Sequence, residues 1–204
     1  MKIKNIILVI GILLAGCSPQ KDDDNLTFGT LPVIQALPIF VANDLNLFTK
    51  HNVEVELISF NSALESEIAI SAEQIDGYFA DIITPMILKA NNIDLQIMST
   101  LFKTDSLQRM FALLTAPGIA NIAAKELSEK GIAVSTNTVI DYITPYLLQS
   151  VDSTIINYNK IEIKKIPIRL QLLLQNQVSA AVLPEPLATF AEQNGAHVFA
   201  DGKT

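Results

Sequence analysis

The sequence predicts an α/β protein of two lobes, each a sheet with helices packed on it. Two observations carry that prediction. From residue 26 onward, short strand-like runs alternate with stretches that place apolar residues at helical spacing. The same rhythm starts again after residue 116, with the two halves joining near 102–110. Repeated strand–helix units imply parallel sheets with helices on both faces. At 204 residues and 50% hydrophobic composition, the chain can bury roughly 70% of its unfolded surface.

In the first half, "NLTFGTL" opens as a short strand. "PIFVANDLNLFTKHN" follows as a helix, with Val41, Leu45 and Phe48 on one face. "VEVELISF" alternates apolar and acidic residues, the pattern of a half-exposed edge strand. Ser62 and Glu65 form an S-x-x-E capping box, and Leu64, Ile68, Ala72 and Ile75 give its helix an apolar face. "DGYFAD" reads as a short buried strand. Thr84-Pro85 starts the next helix, since proline suits a first helical turn. "DLQIMSTLF" and "LQRMFALLTA" read as strands.

In the second half, Asn121 is placed to cap "IAAKELSEKG", which ends on Gly131. "IAVS" is a strand. "NTVIDYITPYLLQSV" is a helix that Pro145 should kink. "IEIKKIP", "VSAAVLP" and "AHVFAD" are strands. "IRLQLLLQNQ" and "EPLATFAEQNG" are the helices between them.

The N-terminus has a different logic. Lys2 and Lys4 precede an apolar run from Ile6 to Ala15, then Leu14-Ala15-Gly16-Cys17. This is a charged start, a short apolar middle and a small-residue exit, so residues 1–16 read as an export signal. About ten apolar residues are too few to span a hydrocarbon core of ~30 Å. Leu-Ala-Gly-Cys resembles the bacterial lipobox, which implies lipid attachment at Cys17, the single cysteine in the chain. Residues 17–25, polar and acidic, read as a flexible tether to an exported, membrane-anchored fold. With one cysteine there is neither a disulfide framework nor a thiol metal site. A net charge of −7 and no basic cluster denser than Lys160, Lys164 and Lys165 exclude nucleic acid as a partner.

In open α/β sheets, solutes bind beyond the carboxyl ends of strands, near helix N-termini. That rule selects Pro38 and Phe40, Asn61 and Ser62, Asp81, Ser135 with Thr136, Asn137 and Thr138, and Glu185. Each also has a structural reading. Ser62 and Thr138 serve equally as N-caps, Asp81 as a cap for the helix at Thr84, and Glu185 as a helix-start acid. Arg169, opening a helix, reads first as a solvated or surface-paired arginine, with an anion contact as the alternative. His51 and His197 lack the neighbours of a metal site. No phosphate loop, dinucleotide fingerprint or nucleophile elbow is present, and no cofactor is expected.

Residues 31–81, with "GIAVSTNTVIDYIT" and "AAVLPEPLA" further on, resemble solute-binding proteins of ABC transporters, of the thiamine-precursor, sulfonate and nitrate type. The resemblance runs over about residues 26–201. It implies a two-lobed periplasmic-binding-protein-like fold (type II) that closes on a small solute by hinge motion. The lobes are expected at 26–105 and 106–201. It further implies delivery to an ABC permease and a binding role rather than an enzymatic one. It carries over Pro38, Phe40, Asn61, Ser62, Asp81, Thr136 to Thr138 and Glu185 as candidate binding residues. The family runs longer, near ~300 residues, with a return segment completing the first lobe. The expectation is therefore a C-terminally truncated form with an incomplete first lobe. The two carboxylates, Asp81 and Glu185, favour a solute bearing N–H donors or positive charge, such as an aminopyrimidine. An enzyme on the same fold and a non-binding lipoprotein are the alternatives.

Overall fold

Two separate sheets form from the two halves of the chain. The computed structural model describes residues 25–103 and 107–202; the export signal, Cys17 and the tether as far as residue 24 lie outside them. The first half contributes β1 (Asn25–Thr30), β2 (Glu54–Ser59) and β3 (Gly77–Tyr78), all parallel, in the order β2-β1-β3. The acid-alternating β2 lies at an edge, as its pattern predicts, with Glu54 and Glu56 exposed. Between the strands run α1 (Leu37–Asp44), α2 (Leu47–Lys50), α3 (Ala63–Ser71) and, after β3, α4 (Ile83–Ala90). The single helix expected over 38–52 is broken in two, because Asn46 turns the backbone left-handed at φ 53°. Asparagine tolerates that conformation better than most residues.

The second half builds a five-stranded sheet. Its strands are β4 (Phe111–Thr115), β5 (Ile132–Val134), β6 (Lys160–Glu162), β7 (Ala180–Pro184) and β8 (His197–Asp201), in the order β6-β5-β7-β4-β8. Strands β6, β5 and β7 run parallel, but β4 is antiparallel to both β7 and β8. The wholly parallel sheet read from the strand–helix rhythm is thus corrected. Strand β4 arrives directly from the first half, without the crossover helix that a parallel connection needs.

Helices α5 (Ala124–Lys130), α6 (Val139–Val151), α7 (Ile166–Leu174) and α8 (Leu187–Gln193) cover this sheet on both faces. Side chains alternate across it. Leu113, Val134 and Val182 pack with Leu127, Leu147 and Leu148 from α5 and α6. Ala112, Leu114, Ala133, Ala181 and Leu183 pack on the other face with Leu173, Ala188 and Ala191 from α7 and α8. Gly131 ends α5 at φ +100°, a conformation strained for any side chain.

The expected strand at 94–102 does not form: residues 93–103 carry no strand assignment. Strand β3, only two residues long, pairs with β1 on one side and has no strand on its other edge among the described residues. A run of apolar sequence becomes a strand only where a partner supplies its hydrogen bonds. Within the described residues no helix is long and apolar enough to cross a membrane.

Candidate functional site

The site starts from local capping chemistry. Ser62 sits extended at the N-cap of α3, and its Oγ accepts from the Glu65 amide at 3.2 Å. Glu65 does not close the box on Ser62. Its Oε2 accepts from the Asn61 amide at 2.8 Å, and its Oε1 meets Lys165 Nζ, from the second half, at 3.0 Å. That lysine and the Asn61 amide hold the Glu65 carboxyl below its ordinary pKa.

Asp81 does more than cap its own helix. Oδ1 accepts from the amides of Ile83 and Thr84 at 2.8 and 2.9 Å. Oδ2 accepts from the amide of Val139, the first residue of α6 on the other sheet, at 3.1 Å. Thr138 holds the N-cap position of α6, yet its hydroxyl makes no cap bond. It donates to the Ser135 carbonyl at 2.8 Å. The N-cap reading of Thr138 is corrected accordingly: an acid from the opposite lobe takes that duty.

The 135–138 loop is rich in polar groups. Asn137 turns it through φ 62°. The Thr136 amide donates to both Glu162 carboxylate oxygens, at 3.1 and 3.3 Å, and Ser135 Oγ lies 3.3 Å from Thr138 Oγ1. Beneath the loop is Arg169, wholly buried. Its Nη1 donates to Ser135 Oγ at 3.1 Å and to the Ile163 carbonyl at 3.3 Å. Its Nε and Nη2 have no hydrogen-bond partner among the described residues. Burial pushes the guanidinium down to about 10, against the opposing pull of Glu162. The surface reading of Arg169 is overturned. The signal was present in the sequence: it is the single charge in "IPIRLQLLL", where apolar neighbours on every turn predict burial.

Ser62 from the first half and Ser135 to Thr138 from the second enclose a small pocket of about 40 Å³, with Glu67 and Lys164 also in its wall. Burial and then Asp81 raise the Glu67 carboxyl above its ordinary pKa. The halves are tied around this pocket by the Asp81–Val139 bond, by Lys165 on Glu65, and by the Ile166 amide on the Asn61 carbonyl at 2.9 Å. Sequence reasoning had not placed Lys164 or Glu67 here.

Other expected residues lie elsewhere. Pro38 is exposed in the first turn of α1, and Phe40 is half-buried in the same helix; neither lines the pocket. Glu185 stands at the crossover between the halves. Its carboxylate accepts from Arg109 Nε at 2.6 Å and from the Thr189 amide at 3.0 Å, while Arg109 also pairs with Glu192. Its amide donates to the Met110 carbonyl at 2.9 Å, and its carbonyl accepts from the Ile34 amide at 2.8 Å. Its contacts reach Ile34 in the first half and Arg109, Met110 and Thr189 in the second.

A second, open groove of about 1790 Å³ runs past Asp81, Val139 and Tyr142. A pocket for a small solute occupies roughly 300–1,000 Å³. The excess has a plain source, since Leu26, Phe28 and Val55 of the small sheet, Ile75 beside it and Ile93 to Phe102 form much of its wall. First-half residues form most of the groove's wall, and Asp81, Ser135 and Thr138 also line it. Among the described residues, no group of three or more His, Cys, Asp or Glu side chains is placed to hold a metal ion.

No protein-family model matches the chain, and no curated protein does. Solved structures do. An alkanesulfonate-binding protein, SsuA from Xanthomonas axonopodis pv. citri bound to MOPS, superposes with TM-score 0.68 at 16% identity over 88% of this chain and 61% of its own. The ligand-binding component of an ABC-type import system from Staphylococcus aureus gives TM-score 0.71 at 14% identity, over 88% and 61%. The periplasmic nitrate-binding protein NrtA from Synechocystis PCC 6803 gives 0.70 at 12%, over 88% and 52%. The chain therefore spans about 61% of the length of the first two proteins it matches. At these identities the likeness is one of fold: a mixed α/β fold like that of periplasmic binding proteins.

Proposed function

We propose that the protein is an exported, lipid-anchored receptor that captures a small solute between two lobes and delivers it to an ABC permease. The lobes are taken as residues 26–105 and 106–201, with the lipid on Cys17. One observation carries the reading: polar strand-to-helix junctions from both halves meet at one pocket, and the contacts that close it also tie the halves together. A volume of about 40 Å³ is close to that of one water molecule, about 30 Å³. An organic solute enters only if the lobes part, and Glu185, bonded to Ile34 and Met110, is placed to act as the pivot. Among the solved proteins of like fold are an alkanesulfonate-binding and a nitrate-binding protein, which favours binding over catalysis. An aminopyrimidine-like solute needs free carboxylates at Asp81 and Glu185, and both are engaged by protein donors. They lend that choice no support.

The test has two arms. Thermal melting of the full chain against a panel of small solutes should show a rise of several degrees with at least one, reduced by Thr138→Val. A melting point unmoved by every solute overturns the receptor reading in favour of a non-binding lipoprotein. Cys17→Ser should move the protein from the membrane to the soluble fraction; an unchanged membrane fraction overturns the anchor.

A further inference from the structure

The small sheet is open in two ways at one place. Strand β3 bonds to β1 along one edge, and no strand lies on its other edge among the described residues. Unpaired N–H and C=O groups along a strand edge are a template for another strand. The open groove runs along this strand: Gly77, Tyr78, Phe79 and Ala80 line it, together with residues 95–102. Its wall also carries Leu26, Ile82, Ile97, Met98, Tyr142 and Tyr146, all exposed. Large apolar side chains gathered in one place and left in water mark an interaction surface.

The charges of the wall decide between occupants. Glu73, Asp76, Asp81, Asp94 and Asp201 line the groove, against Lys164 as the one base in its described wall. A second copy would bring the same acids, on a chain of net charge −7, to face them, and like charges across an interface oppose association. An anionic lipid surface is repelled for the same reason. A single small solute, at roughly 300–1,000 Å³, would leave much of the volume of about 1790 Å³ empty. An extended polypeptide suits both the space and the edge. Successive side chains of a strand point to opposite faces. A segment that alternates apolar and basic residues therefore turns its apolar set to the wall and its basic set outward, toward the exposed acids Glu73 and Asp94.

We propose that this groove is a docking surface for an extended segment of a separate polypeptide, apolar and basic at alternate positions, which adds to the small sheet beside β3. Main-chain hydrogen bonds to the strand edge supply affinity, and the alternate side chains supply specificity. This goes beyond the receptor reading. The surface is larger than the 40 Å³ pocket and lies mostly on the first half, although Ser135, Thr138 and Lys164 line both.

The experiment measures binding of a fluorescent peptide alternating valine with lysine to the full chain by anisotropy, beside a valine–glutamate peptide and a serine–lysine peptide. Wild type is compared with the double variant Glu73→Lys, Asp94→Lys, whose two positions are exposed. The valine–lysine peptide alone should bind, less tightly as salt is added. The double reversal should weaken it about tenfold. Hydrogen exchange of residues 77–80 should slow in the complex. Equal binding of the valine–glutamate or the serine–lysine peptide overturns the proposal, and so does an unchanged affinity in the double variant. The three peptides on wild type carry the test if that variant does not fold. Binding without slowed exchange at 77–80 overturns strand addition. A dimer in sedimentation whose exchange is slowed at 77–80 gives the groove to a second copy and overturns the proposal, as does binding of none of the peptides.

Discussion

The large sheet and the small sheet are built from similar sequence, yet one is finished and the other is open. In the large sheet, β7 is buried along its whole length between β5 and β4, and helices cover both faces. In the small sheet, β3 is two residues long with one edge unpaired among the described residues, and Ile97 and Met98 beyond it are exposed. The difference is one of partners. Strand β4 inserts antiparallel beside β7 and offers its other side to β8, so one strand completes two pairings. No described strand does this for β3. Apolar sequence supplies the tendency to form a sheet, but backbone hydrogen bonding is satisfied only strand against strand.

That contrast is open to direct attack. The largest effect is expected in the finished lobe. Leu183→Ala removes a side chain with no solvent exposure and should cost about 2–5 kcal/mol, whereas Ile97→Ala on the open side should stay within about 0.5 kcal/mol. Urea unfolding of both variants checks the pair, and equal losses would mean that the 93–103 segment is packed as firmly as β7. Next in size is the crossover. Glu185→Gln removes one of the two carboxylates paired with Arg109, at a contact whose side chains are only 14% and 13% exposed, and should cost about 1–3 kcal/mol.

The smallest effect is the lock between the lobes at Glu65 and Lys165. The Glu65 carboxyl is held below its ordinary pKa, chiefly by Lys165. Its stabilisation is therefore complete above the ordinary glutamate value of about 4.3 and is lost as the pH falls through the lowered one. The pair is solvent-exposed, so its worth is at most a few tenths of a kcal/mol. Melting curves of wild type and Glu65→Gln should differ slightly at about pH 7 and converge as the pH falls below the ordinary glutamate value of about 4.3. A gap that persists in acid would assign the effect to the Asn61 turn instead.

Much of the candidate site was legible beforehand. Ser62, Asp81 and Thr136 to Thr138 were selected because strand ends and helix starts meet there; the structure puts Ser62 and Thr136 to Thr138 in one small pocket, with Asp81 beside it on the Val139 amide. Pro38 and Phe40 fitted the same rule but sit on a helix that does not reach it. Arg169 was discounted because arginine is usually solvated, although an apolar helix around it argued otherwise.

The sequence by itself determined the alternation of strands and helices, the edge position of β2, the capping serine and the acidic, single-cysteine character of the chain. These follow from periodicity, local hydrogen bonding and composition, which act over a few residues. Only the tertiary structure decided that β4 runs antiparallel, that residues 93–103 stay out of the sheet, and that Asp81 caps a helix in the opposite half. It alone placed Glu185 against Ile34 and Arg109, and Arg169 in the interior. Each of these depends on a partner supplied from far along the chain, and local pattern carries no record of which groups folding brings together.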